Sequence, residues 1–358
     1  MKLADAINHA LKTGLPFVCY RLPDQAQPVS AFKVKLDTRP DQATPYFVMA
    51  PYDNSEIEYQ YVALLECEVG FEISTDILHL SNAHNQPDPS PILEGKLWTE
   101  SDYLKAADQL IQLMQKGKAN KIVLSRQLET LLPSHKYWGE VFTDLCKTYP
   151  NAFAYCFSDG TSQQWMGASP ETLLRVQDSE GETMALASTQ AAGQTTEDQL
   201  QWGQKEIDEH AFVIYDIREK LRILNVTDLR ETEVFTTWAG PVAHLKCMFN
   251  FRMPDSVTVD QLAETLHPTP AICGTPTKSA QELIREFEPH QRLYYTGYAG
   301  IRKHDHSASY FVNLRCMRII GNKALLYVGG GLTADSGSRN EWEETLLKAS
   351  VLQSVIAK

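Results

Sequence analysis

Short apolar runs separated by clusters of Pro, Asp and Asn fill the first 97 residues: "PFVCYRL", "AFKVKL", "PYFVMAPY" and "QYVALLECEVGFEI". That pattern predicts strands joined by turns, with "PDPSPI" at 87–92 as the loop that closes this first layer. The next stretch, "TESDYLKAADQLIQLMQKGKA", opens on Thr99, keeps apolar residues at helical spacing and ends near Gly117, which predicts a helix. Strands are expected again at "KIVLSRQLE", "AFAYCF", "QQWMGAS" and "TLLRVQ". From about Thr196 to Leu224 apolar residues at Ile207, Phe212, Ile214, Ile217 and Leu221 mark one buried face of a long helix. Further strands follow at "ETEVFTTW", "YYTGYAGIRK", "ASYFVNLRCMRII" and "KALLYVGGGL", before a last helix from about Arg339 to Ala357.

Strands in hairpin-like succession, rather than each followed by a helix, predict an α+β fold in which large antiparallel sheets pack with helices outside. One compact unit over 1–358 is expected, with 1–97 as a strand-rich N-terminal part and 98–358 as the core that carries the chemistry.

Composition narrows the partners. Lys and Arg number 33 against 45 Asp and Glu, a formal net charge of -12, which disfavours nucleic acid or an anionic membrane surface as the main partner. An anionic small molecule would need a local cation to hold it. The N-terminal "MKLADAINHALKTGLPFVCY" has no continuous apolar core for a secretory signal, and no run approaches the roughly 18 apolar residues of a membrane span. Seven scattered cysteines, never in a C-x-x-C pair, argue against a disulfide framework and a zinc site. A cytoplasmic enzyme with reduced thiols fits these features.

Two stretches stand out in a chain already acidic. "KEIDEH" places Glu206 and Glu209 three apart, and "NEWEETLLK" does the same with Glu341 and Glu344. On a helix each pair shares a face. A solvated acidic surface would explain either pair alone, but Glu209 and His210 abut the apolar "AFVIY" and Glu344 precedes "LL", and carboxylates at the edge of a buried face need compensation. Two facing pairs could hold a hard divalent cation through oxygen, and Mg2+, which keeps several waters, suits a site with few direct ligands.

"KIVLSR" (121–126), "GASPETLL" (167–174), "ALAST" (185–189), "KEIDEH" (205–210), "PVAHL" (241–245), "HPTPAICGTP" (267–276), "YTGYAG" (295–300), "VNLRC" (312–316), "GGGL" (329–332) and "EWEET" (341–345) occur in the order found in chorismate-utilising enzymes. The chain most resembles the isochorismate synthases among them, over Lys121 to Lys348.

The resemblance implies Mg2+ with Glu209 and Glu344 as direct ligands and Glu206 and Glu341 holding its waters, the metal binding the ring carboxylate of chorismate. It implies a reversible transfer of a hydroxyl from C4 to C2, with Lys121 as the base that activates water and Glu171 as the acid. From the residues alone, Lys121 reads as a solubilising strand-edge lysine and Glu171 as a charge at a helix start, and only the ordered motifs around them turn both readings. Tyr295 and Arg315 match the positions that take the enolpyruvyl carboxylate, a role that suits a bidentate guanidinium. Gly329 and Gly331 would add backbone N–H groups, and Ala271 follows the isochorismate pattern. Ser188 and Thr189 stand where the family usually has Gly-Thr near the C4 hydroxyl, so Ser188 is a departure. His244 matches a histidine near the ring; His210 is expected to support Glu209, and Trp165 and Trp342 to pack in the core. Related enzymes that add nitrogen usually depend on an amidotransferase and generally lack a lysine at the position of Lys121. No amidotransferase subunit is expected here, and a monomer is. The alternatives are a salicylate synthase, which goes on to eliminate pyruvate, and a catalytically silent chorismate-binding protein.

Overall fold

The computed structural model describes all residues except 38, 42–43, 75–76, 81–94, 192–199, 240–241 and 305. The loop expected at 87–92 lies outside the described residues. In chain order the N-terminal elements are α1 (Leu3–Thr13), β1 (Phe17–Arg21), β2 (Val29–Phe32), β3 (Leu36–Asp37), β4 (Tyr46–Ala50), β5 (Gln60–Ala63) and β6 (Glu68–Val69). Then come α2 (Glu100–Gln115), β7 (Lys121–Leu131), α3 (Trp138–Thr148), β8 (Phe153–Ser158), β9 (Gln164–Ser169), β10 (Thr172–Gln177), β11 (Glu180–Ala191) and α4 (Gln204–Ile223). The rest are β12 (Thr227–Glu231), β13 (Phe235–Ala239), β14 (Val242–Arg252), α5 (Val259–Leu266), β15 (Gly274–Thr275), α6 (Thr277–Phe287), β16 (Tyr298–His304), β17 (Ser307–Val312), β18 (Cys316–Ile320), β19 (Lys323–Thr333) and α7 (Ser338–Ile356).

The strands form two antiparallel sheets. One runs β15-β7-β19-β18-β9-β8-β1-β2-β6, the other β12-β14-β11-β10-β17-β16-β4-β5-β3 with β13 also on β14. Tyr20, Phe47, Phe157, Trp165 and Phe311 fill the space between them. Outside the first sheet pack α1, α3 and α7 through Ile7, Phe142 and Leu352; outside the second, α4 and α5 through Val213, Ile217 and Leu262. The expected α+β sandwich with external helices is therefore observed. Strands from before residue 97 lie in both sheets, β1 beside β8 and β4 beside β16, so the N-terminal part is woven into each layer.

Several local expectations need correction. The first residues form a helix, α1, which buries Leu3, Ala6, Ile7, Ala10 and Leu11 and ends on left-handed Gly14, so the N-terminal part is not strands alone. The long helix starts at Gln204 after Gly203, not near Thr196. The run "ASYFVNLRCMRII" is two strands in different sheets: β17 pairs with β16, and β18 with β9 and β19. Between them Arg315 takes φ 48, and that left-handed residue turns the chain from one layer to the other at the edge of the site.

Candidate active site

A cavity of about 80 Å3 lies where β7, β11, β14, β19, α4 and α7 converge. It is lined by Glu171, Ser188, Thr189, Glu209, His244, Ala271, Tyr295, Arg315, Gly329, Gly331 and Glu344. Eleven of the fourteen residues singled out from the sequence thus share one space. Lys121 stands directly behind it, Glu341 lies deeper under β19, and Glu206 is turned away.

Lys121 opens β7 and is 1% exposed; its Nζ donates to Glu209 Oε1 at 2.9 Å. Gly331, which pairs with Val123 on the same strand, lies beside it, and a Cβ there would stand 2.3 Å from Glu209 Oε1 and 3.1 Å from Lys121 Cε. Only glycine leaves room for this pair. Burial works against the charge on Glu209, but Lys121, with Lys205 and Lys348 behind it, holds the carboxyl below its usual range. His210, next along α4, is buried with its ring against the Ala185 carbonyl at 3.2 Å, a support for the helix face. Burial lowers its pKa.

Glu171 follows Ser169–Pro170 and leads into β10, not into a helix. Its backbone N–H donates to Ser169 Oγ, and its carbonyl accepts from Val312 N at 3.0 Å. Burial pushes its carboxyl up to about 8, against the opposing pull of Lys121 and Lys348. A carboxylic acid that keeps its proton at neutral pH can serve as a proton donor.

His244 on β14 is neutral: burial, then Arg315 and Lys348, push it down to about 3. Its Nδ1 lies 3.0 Å from the Ser188 carbonyl and 3.3 Å from Thr189 Oγ1, while the buried Nε2 has no partner. Arg315 Nη1 is likewise buried and unpartnered, and burial lowers the guanidinium to about 10. A buried cation without a counter-ion calls for an anionic ligand. Tyr295, stacked on Tyr327 at 5.3 Å, keeps its phenol neutral because burial raises its pKa.

Lys348 is a site residue not singled out beforehand. It lines the cavity and donates to Glu344 Oε1 at 2.5 Å and to the Gly329 carbonyl at 2.9 Å. Its position four after Glu344 on α7 was the available signal.

Among the described residues no three acidic, His or Cys side chains form a ready-made metal cluster. Glu209, Glu341 and Glu344 are each met by a lysine instead: Lys121 at 2.9 Å, Lys205 at 2.6 Å and Lys348 at 2.5 Å. Yet Lys205 does not offset the environment of Glu341. Burial, then the Glu344 charge, raise this carboxyl to about 7, and its Oε2 is buried without a partner. An all-oxygen donor set with mutual repulsion and an orphaned oxygen fits a hard cation. Glu206 does not join it, because its Oε2 lies where a Cβ on Gly203 would come within 2.7 Å.

Ser188 occupies a bulge in β11 between Ala187 and Thr189, at φ 59. Its Oγ donates to the Glu206 carbonyl at 2.7 Å and lies 3.4 Å from Glu209 Oε2. Left-handed backbone costs a non-glycine residue roughly 1 kcal/mol, and a hydrogen bond returns about as much. Ser188→Gly is therefore expected to leave stability within about 1 kcal/mol of the parent, whereas Ser188→Ala, which keeps the strain and loses the bond, should lose about 1 kcal/mol or more. Urea unfolding of both variants checks this; equal losses would mean that backbone strain is not what glycine relieves.

Comparison with known proteins places this geometry in a class. Residues 60–357 match the family described as chorismate binding enzyme, and the chain belongs to that family. It is 31% identical over 287 residues to the isochorismate synthase DhbC of Bacillus subtilis, covering 74% of this chain and 68% of that protein. The fold matches MenF, the menaquinone-specific isochorismate synthase of Escherichia coli, with a TM-score of 0.80 at 20% identity over 98% of this chain and 91% of that one. It also matches anthranilate synthase component I of Streptococcus pneumoniae, with a TM-score of 0.68 at 17% identity over 94% and 89% of the two chains.

Proposed function

We propose that the protein is an isochorismate synthase that interconverts chorismate and isochorismate reversibly with Mg2+, water adding at C2 as the C4 hydroxyl leaves. The carrying observation is Glu171, a carboxyl held protonated up to about pH 8 in the cavity that also displays the unpartnered Nη1 of Arg315. Kinship with proteins named as isochorismate synthases supports the reading.

In this reading Arg315 and Tyr295 take the enolpyruvyl carboxylate, and Ser188, Thr189, His244 and Ala271 enclose the ring. Glu171 delivers its proton to the departing C4 hydroxyl. Lys121 takes a proton from the entering water, which it can do only as the free amine; loosening of its 2.9 Å contact with Glu209 is part of the proposed cycle. Mg2+, assigned to Glu209 and Glu344 with Glu341 on its waters, would neutralise the ring carboxylate, and Glu206, whose carboxylate lies toward Gly203, takes no part. Fixing acid and base on opposite sides of one ring supplies orientation as well as proton transfer.

Incubation of the purified protein with chorismate and Mg2+, followed by chromatography, is expected to give isochorismate, and isochorismate supplied alone should return chorismate. The hydroxyl moves between two allylic positions of one ring, so neither isomer is strongly favoured. Pyruvate released in step with chorismate loss would instead indicate a salicylate synthase, ammonia-dependent anthranilate an amine-adding enzyme, and no turnover a binding protein.

A further inference from the structure

This 80 Å3 cavity is too small for the substrate just proposed. An apolar cavity of about 150 Å3 is what one benzene ring occupies, and 80 Å3 cannot take a ring bearing a carboxylate and an enolpyruvyl group. Beside it lies a second cavity of about 720 Å3, and the two share the side chains of Pro170, Leu186, His244 and Arg315. The partition therefore includes two residues with a buried, unpartnered polar atom, His244 at Nε2 and Arg315 at Nη1.

The larger cavity is built into the sandwich. Its floor is the inner face of the second sheet, where alternation along β11 presents Glu182, Met184 and Leu186 and along β14 presents His244, Lys246 and Met248. Ala185, Ala187, Cys247 and Phe249 point the other way, into the core under α4 and α5. The opposite wall is the turn Tyr149–Ala152, which the buried Arg21 guanidinium fastens through the carbonyls of Tyr149 (2.6 Å), Pro150 (2.6 Å) and Ala152 (3.0 Å). A wall pinned in this way is a fixed boundary.

Its charges have a direction. Arg315 stands at the partition and Lys246 two residues out from His244 along β14, roughly 7 Å farther, with Arg175 on β10, the second strand over. Asp24 and Glu182 also border the space, Glu182 being the carboxylate whose charge Lys246 feels. Among the described residues no carboxylate stands within ion-pair distance of Lys246, whose ammonium lies 5.9 Å from the centre of the Phe235 ring. The half-buried Lys246, the exposed Arg175 and the buried Arg315 thus line one side of this space with positive charge inside a chain of net charge -12.

We propose that the 720 Å3 cavity is the vestibule by which a cyclic dicarboxylate reaches the smaller site, and that Lys246 is a binding residue there, taking one carboxylate before Arg315 does. The proposal rests on the reading of chorismate as substrate. Movement of the Pro170–Leu186–His244–Arg315 partition then merges the two spaces around the ligand.

The test is Lys246→Gln, measured with chorismate and Mg2+ over a range of ionic strength. Loss of one steering charge should lower kcat/KM about 5-fold, leave kcat within about twofold and flatten the salt dependence. Met248→Trp, which narrows the vestibule without touching the smaller cavity, should also lower kcat/KM. Unchanged kcat/KM and salt slope in Lys246→Gln would overturn the proposal, as would an equal fall in kcat, which would put Lys246 in the reacting site. Calorimetric binding of chorismate to parent and variant carries the test even without turnover. A parent that binds but forms no product refutes the synthase reading alone, whereas equal affinities refute the vestibule alone.

Discussion

Glu171→Gln is expected to lower turnover at least ~100-fold, the low end of what a positioned proton-transfer group contributes. Glutamine fills the same volume but has no proton to deliver. Because the parent carboxyl is held up to about 8 by burial, the sign of the pH effect is fixed: the acid is competent below about pH 8, and turnover should fall as pH rises through that value. Folding follows the same group. Between the ordinary glutamate range and about pH 8 the folded chain holds a proton that the unfolded chain releases, so stability from this group is present at low pH and lost as pH rises through about 8. The glutamine variant should lack that slope, which urea unfolding at pH 6 and pH 9 would show. Lys121→Ala should match the loss of rate at ~100-fold or more, but it also strips Glu209 of its 2.9 Å partner and so costs stability as well. Near-normal turnover in either variant would reassign that residue's role.

Where periodicity alone decides an element, the sequence was a sufficient guide. Thr99 and Asp102 form the capping box of α2 that the spacing predicts, and the "GGGL" run sits on β19. What escaped were events decided by distant partners. The run "ASYFVNLRCMRII" alternates like one strand, and nothing local reveals that Arg315 turns left-handed and sends its two halves to different sheets. The same holds for the site. Helical spacing made the carboxylate pairs legible, but two of the lysines that meet them lie far away in sequence, Lys121 being 88 residues from Glu209 and Lys205 136 residues from Glu341, whereas Lys348 is four from Glu344. Helical spacing likewise treats Glu206 and Glu209 alike, yet only Glu209 is drawn inward, because Gly331 leaves space for it and Lys121 compensates its charge.

That arrangement leads to the prediction with the largest effect: removal of divalent cations by EDTA should abolish turnover, and added Mg2+ should restore it. Three carboxylates crowd into a largely buried region, and lysines do not fully compensate them, since burial and the neighbouring charge of Glu344 still raise Glu341 to about 7. A divalent cation bound by such groups stabilises the fold by mass action, about 2.7 kcal/mol at a hundredfold excess over Kd. Mg2+ should therefore raise the Tm of the parent protein, a readout independent of catalysis. Glu344→Gln removes one donor while keeping the shape of α7, frees Lys348 from its 2.5 Å partner, and should lose both the Mg2+-dependent rise in Tm and the activity. Full activity in EDTA would remove the metal from the reaction, and an undiminished Tm response in Glu344→Gln would place the ion elsewhere.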